Sequence, residues 1–168
     1  MIPYRLGLLT LNPGLRRSHV VDDLVKVARA IVAALNGRRF SQAFTAVRAY
    51  APVYKLEDLG TLHVTVAPRA HERTRLTRGR HEGQPQIDVA VQKRISASAT
   101  TAAANTELDA LRALVREISL FLLPNSKPRR YAGAAAMSID NDPIHDFARL
   151  RVHNQFTSVL TVNLSKAQ

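Results

Sequence analysis

The residues best equipped for chemistry are the acidic run Asp140-Asn141-Asp142-Pro143-Ile144-His145-Asp146. Its carboxylates and imidazole are the groups that bind a divalent cation or share acid–base work. Asp140 and Asp142 have the spacing of the first two ligands of a calcium loop. The next ligand position is Ile144, and the glycine and terminal glutamate of such a loop are missing. A turn in which Asp and Asn bond the local backbone fits the run better. His63 lies in an alternating stretch opposite Leu62 and Val64, where a histidine is structural or faces water. His19, His71, His81 and His153 have no ligand spacing such as an i, i+4 pair. No Gly-x-Ser-x-Gly elbow, Walker loop or Gly-x-Gly-x-x-Gly fingerprint occurs. Asp88, beside Gln86 and Gln92, either faces water or pairs with an arginine across a subunit boundary. No catalytic, cofactor-binding or metal-binding residue is therefore expected. A hydrolase or metalloenzyme built on Asp140, Asp142 and His145 ranks last.

The basic residues are more informative. Between positions 69 and 83 the chain carries Arg69, Arg73, Arg75, Arg78 and Arg80 against only Glu72 and Glu82. Arginines on a loop neutralise phosphates without regard to sequence and in a salt-sensitive way. No aromatic residue interleaves them, so base stacking is not supported. Arg129 and Arg130 form a second, smaller cluster. Both clusters equally suit a surface that orders against a neighbouring subunit.

A long hairpin must hold the larger cluster. Its arms are Leu62-His63-Val64-Thr65-Val66 and Gln86-Ile87-Asp88-Val89-Ala90-Val91-Gln92, each alternating with period two. Leu62, Val64 and Val66 point one way, as do Ile87, Val89 and Val91. The stretch 69–83 between them is expected to be a long basic loop, and loops of that length in a compact domain are usually functional or disordered.

The rest of the chain supplies the layers. Residues 1–17 read as an extended lead-in. Ser18 is the expected N-cap of a first amphipathic helix with Val20, Leu24, Val27, Ala28, Ile31 and Leu35 as its buried stripe. Asn36-Gly37 should stop it with a left-handed residue. A first strand runs over 44–50 and on towards Val53 and Tyr54, with Pro52 marking an edge or an end. Residues 96–105 are small and polar and read as a flexible link. Asn105 or Thr106 should cap a second helix carrying Leu108, Leu111, Leu114, Val115, Ile118 and Leu122, ended by Pro124. A short strand near 136–140, an irregular or briefly helical stretch over 144–151, and a last strand over 156–164 follow, with 165–168 as a short tail. The expectation is a single α+β domain over 1–168: a mainly antiparallel sheet of about five strands covered by two amphipathic helices.

Composition sets the outer bounds. The chain has 168 residues and a net charge of +11, from 24 Lys and Arg against 13 Asp and Glu. That balance suggests nucleic acid, anionic lipid or an acidic protein as a contact. Because Arg greatly outnumbers Lys, a proteome-wide bias is the alternative source. An apolar content of 46% argues against global disorder, and few aromatic residues imply an aliphatic core. The absence of Cys excludes disulfides and thiolate metal sites and fits assembly in a reducing cytoplasm. Neither a signal-peptide pattern nor a bilayer-spanning apolar run is seen.

Three stretches resemble small structural proteins of tailed-phage and prophage morphogenesis modules. They are 47–59 with 62–68, Gln86-Ile87-Asp88-Val89-Ala90-Val91-Gln92-Lys93-Arg94, and Gln155-Phe156-Thr157-Ser158-Val159-Leu160-Thr161-Val162. The similarity is to tail terminator or neck proteins at the head–tail junction. The resemblance implies an α+β subunit of a hexameric ring that caps the tail tube, stops its growth and offers a surface to the head connector, with genomic DNA passing through the lumen. It implies a virion protein assembled in the host cytoplasm, with no membrane, no cofactor and no catalytic residue. Arg69, Arg73, Arg75, Arg78, Arg80, Arg129 and Arg130 would then face a neighbouring subunit or DNA. The rival readings are a non-specific DNA-binding module using the stretch 69–80, and a head-completion adaptor protein.

Overall fold

The computed structural model describes residues 22–51, 54–55, 57–77, 80–96 and 101–167; the side chains of 73–77, 80–81 and 167 lie outside that description. The expected lead-in over 1–17, the Ser18 cap and Pro52 also lie outside the described residues.

The first described helix, α1 (Asp23–Asn36), begins where the Asp22 carboxylate accepts from the Leu24 N–H at 3.2 Å. Val27, Ala28, Ile31 and Leu35 are buried along one stripe, as the spacing of three and four requires. Gly37 ends the helix and donates to the Ala33 carbonyl at 3.0 Å, but with φ −81° it is right-handed, not left-handed. The second helix, α2 (Ala102–Leu122), starts four residues before the expected cap Thr106. Thr101 caps it through its hydroxyl, which accepts from the Ala104 N–H at 3.2 Å. The three alanines that read as a link are strong helix formers, and a cap before them suffices to recruit them. Leu111, Leu114, Val115, Ile118 and Leu122 are buried as expected, joined by Ala104 and Phe121.

The strands are β1 (Ala46–Arg48), β2 (His63–Thr77), β3 (Arg80–Arg94), β4 (Arg130–Tyr131), β5 (Ala134–Asp140) and β6 (Gln155–Ala167). A third helix, α3 (Phe147–His153), precedes β6 and is capped by the Asp146 carboxylate, which accepts from the Arg149 N–H at 3.0 Å. The chain is thus α+β with three helices and six strands, one strand more than expected. The strands form one sheet in the order β1-β2-β3-β6-β5-β4, antiparallel except for the β1–β2 pair. The sheet curls enough that β4, at its far edge, lies close to α1.

The largest correction concerns the stretch 69–83. It is not a loop. β2 and β3 stay paired from His63↔Gln92 out to Thr77↔Arg80, with irregularities at Pro68/Ala70 and Arg75/Thr77. Only 78 and 79 separate the arms. Likewise the tail expected at 165–168 continues β6 to Ala167. There Ser165 donates to Glu82 at 2.7 Å, and Lys166 pairs with Asp23 of α1 at 3.1 Å.

The core lies between the helices and one sheet face. Val64, Val66, Ile87, Val89 and Val91 have no exposed surface, nor have Phe156 and Val162. At about 25 cal/mol per Å² of apolar surface, this aliphatic layer is the main source of stability. None of the described helices is long and apolar enough to cross a membrane.

Candidate functional site

Period two puts the alternate residues of β3 and β6 on the opposite face of the sheet. These are Gln86, Asp88, Ala90 and Gln92 beside Asn163, Thr161, Val159 and Thr157. Part of this face is covered. Tyr54 reaches over to Thr65, their hydroxyl oxygens 2.6 Å apart, and Leu59 is buried in a 3-10 turn against β3. His63 is structural: its Nε2 is 2.9 Å from the Asp58 carbonyl oxygen and its ring lies 4.3 Å from that of Tyr54. The remainder is a polar groove of about 790 Å³, walled by α3 and by the end of β5.

Three strands contribute the groove's central network. Thr161 donates to the Asp88 carboxylate at 2.8 Å. Arg69 donates to Thr161 Oγ1 at 3.0 Å and lies 3.4 Å from Asp88 Oδ1. Asp88 therefore has a partner within its own chain; it neither simply faces water nor needs an arginine from a second subunit. With Arg69 half exposed, this ion pair is worth at most about 1 kcal/mol, and it serves chiefly to orient the two groups.

Asp140, Asp142, Asp146, Arg69 and Arg149 are the charged residues around the groove. Arg149 is committed to Asp146, Nε to Oδ2 at 3.3 Å. Asp140 accepts from Asn163 Nδ2 at 2.7 Å. Among the described residues no cation lies within ion-pair distance of Asp140 or Asp142. The groove is thus acidic in a chain of net charge +11. On its floor Gln92 is 1% exposed, and its Oε1 has no hydrogen-bond donor. A buried amide oxygen without a donor carries a cost of about 1–3 kcal/mol.

The acidic run behaves as a connector. Asp146 caps α3, its N–H donates to the Thr157 carbonyl at 2.8 Å, and the Ile144 carbonyl accepts from Ser158 at 2.6 Å. No cluster of three His, Cys, Asp or Glu side chains suited to a metal occurs among the described residues. His145 leaves that run for an aromatic setting, 4.3 Å from the Phe147 ring and 5.8 Å from Phe156. Its Nδ1 is buried without a partner. Burial, then repulsion by Arg112 of α2, lowers its pKa below the usual 6.5, against a smaller opposing pull from Asp146.

The sign of the consequence follows from linkage. The unfolded imidazole binds a proton more readily than the folded one, so its stabilising contribution is full above pH 6.5 and is lost as pH falls towards the folded pKa. Denaturant unfolding of the wild type should show stability declining below pH 6.5. His145→Phe should flatten that decline down to the carboxylate range near about pH 4. Below that range two further carboxylates act. The Asp23 pKa is lowered, chiefly by its hydrogen bond with Lys166. Burial raises that of Glu107, but bonds from Lys93 and Ser96 outweigh it and leave it lowered. Both contributions disappear on acidification.

The two arginine clusters are not brought together. Arg69 lines the groove, while Arg73, Arg75 and Arg80 sit on the hairpin arms beyond it, with Arg78 at the turn. The side chains of Arg73, Arg75, Arg78 and Arg80 lie outside the described residues. Arg129 stacks on Phe121 with its guanidinium 4.0 Å from the ring centroid. Arg130, in β4, donates to the Gly133 carbonyl at 3.3 Å. Strands β3, β6 and β5 separate that edge from β2. Nearby, burial pushes the Tyr131 hydroxyl up to about 12, against a small opposing effect of Arg129, while it donates to the Leu122 carbonyl at 3.1 Å.

The hairpin has two exposed features. β6 accompanies β3 only as far as Glu82↔Ala167, so the end of the hairpin projects past the sheet. β1 pairs with β2 only over Val64–Val66, so beyond that the outer edge of β2 has no partner strand among the described residues. Sequence reasoning missed the groove residues Asp146, Arg149 and Thr157. The available signal was the polar alternation Gln155, Thr157, Thr161, Asn163 along β6. No protein-family model matches the chain, and no curated protein matches its sequence.

Proposed function

We propose that this chain is a non-enzymatic structural subunit of the tailed-phage head–tail junction, a tail terminator or neck protein acting as a hexameric ring. The ring would cap the tail tube, present a surface to the head connector and leave a lumen for the genomic DNA. It would be assembled in the host cytoplasm and end in the neck of the virion.

The observation that carries this reading is the β2–β3 hairpin, which projects past the sheet and bares one strand edge in a chain whose sequence resembles that family. A bare edge offers unpaired N–H and C=O groups to another chain. A ring needs a heterologous contact between two different surfaces, closing when the rotation between subunits closes. The hairpin edge and the opposite end of the sheet at β5 and β4 differ in this way.

Adding the purified chain to polymerising tail-tube protein tests the function. Tubes should stop growing and show a capping ring by electron microscopy. Tubes that grow on undisturbed contradict the terminator reading, and binding to the head connector alone would point to a head-completion adaptor instead.

The high positive charge favours a second reading, a non-specific DNA-binding module. It predicts duplex binding that weakens steeply with salt and is lost in Arg73→Ala/Arg75→Ala/Arg78→Ala. The ring reading predicts that this triple variant changes assembly much more than DNA affinity.

A further inference from the structure

We propose that the acidic groove of one copy receives the arginine-bearing end of the β2–β3 hairpin of a second copy; the proposal rests on the ring reading above. Three observations converge. First, the groove is acidic in a strongly basic chain. Arg69 and Arg149 are already engaged by Asp88 and Asp146, and no cation of the described residues pairs with Asp140 or Asp142. Second, the buried Gln92 Oε1 in the groove wall has no donor. An arginine guanidinium supplies five donors and no acceptor, matching carboxylates and an amide oxygen together. Third, the stretch 73–80 carries Arg73, Arg75, Arg78 and Arg80 with no acidic residue among them.

A chain cannot satisfy its own groove with these residues. The groove lies alongside β3 from Gln86 to Gln92, whereas the arms from Arg73↔Gly83 to Thr77↔Arg80 lead away from it in a continuous ladder. Tip and groove are therefore separate surfaces of opposite charge on one molecule. Such a pair makes a head-to-tail contact, the kind that propagates around a ring. The same acidic groove repels phosphate, so it does not bind DNA directly.

Charge exchange on the full-length chain tests the contact. Asp140→Lys/Asp142→Lys reverses the groove, and Arg73→Glu/Arg75→Glu reverses the tip. Each variant alone should need about a tenfold or greater rise in concentration to assemble. An equimolar mixture should recover assembly, because both kinds of contact are again between opposite charges. Light scattering after gel filtration reads the mass, and circular dichroism verifies that each variant folds. Should the lysine pair fail to fold, Asp140→Asn/Asp142→Asn keeps the shape and should weaken assembly in the same direction.

Two variants that keep the wild-type mass, or a mixture that stays dissociated, overturn the contact while leaving the ring intact. A groove that binds a polyarginine peptide while the reversed variants assemble normally assigns it to another basic partner, and also overturns the contact. A wild-type chain that never assembles contradicts the ring reading itself.

Discussion

Phe156→Ala is expected to cost about 3–5 kcal/mol of folding stability, the usual cost of truncating a buried aromatic side chain. Phe156 has no exposed surface, lies opposite Lys93 in the β3–β6 ladder and packs in the core beneath α2. No flexible neighbour is placed to fill the space, since Leu160 and Val162 of the same strand are equally buried. Against a typical total of about 5–15 kcal/mol, the loss is large enough to leave a measurable unfolded fraction at ordinary temperature. Urea unfolding monitored by circular dichroism gives the value. A loss under about 1 kcal/mol would mean that Phe156 is not packed as described.

This part of the molecule was legible from the sequence because burial imposed a period. Phe156, Leu160, Val162 and Leu164 alternate with polar residues along β6, and all are buried. The stripes of α1 and α2 were legible for the same reason. Where no face is buried, the signal disappears. From Arg69 to Arg80 no apolar period marks a strand, so the hairpin read as a loop. What holds it there is the backbone ladder between β2 and β3, and backbone hydrogen bonds leave no trace in side-chain type. The groove was hidden for another reason. Arg69, Asp88 and Thr161 meet only because β2, β3 and β6 are neighbours in a fixed register, which no local pattern reveals.

The second large effect concerns assembly. Replacing residues 75–81 with Asn-Gly should abolish oligomer formation while leaving the monomer folded. Thr74 and Glu82 face each other in the ladder, so a two-residue type I′ turn can close the shortened hairpin between them. The removed segment lies beyond the last β3–β6 pair, Glu82↔Ala167, and contributes nothing to the core cluster. Its melting temperature should thus stay within about 3 °C of wild type, corresponding to well under 1 kcal/mol for a chain of this size. Gel filtration and thermal denaturation of the same sample separate the two effects. A shortened hairpin that still assembles would move the subunit contact elsewhere on the sheet. One that unfolds would show that the hairpin supports the core after all.

The most direct test of the account is the mass of the purified full-length chain in solution, measured by light scattering after gel filtration, alone and with tail-tube protein. A ring subunit gives six times the chain's mass, either alone or once the tube is present. A chain that stays monomeric across concentration and ignores the tube contradicts the account. If that monomer shifts on duplex DNA, its arginines serve nucleic acid and not a neighbouring subunit.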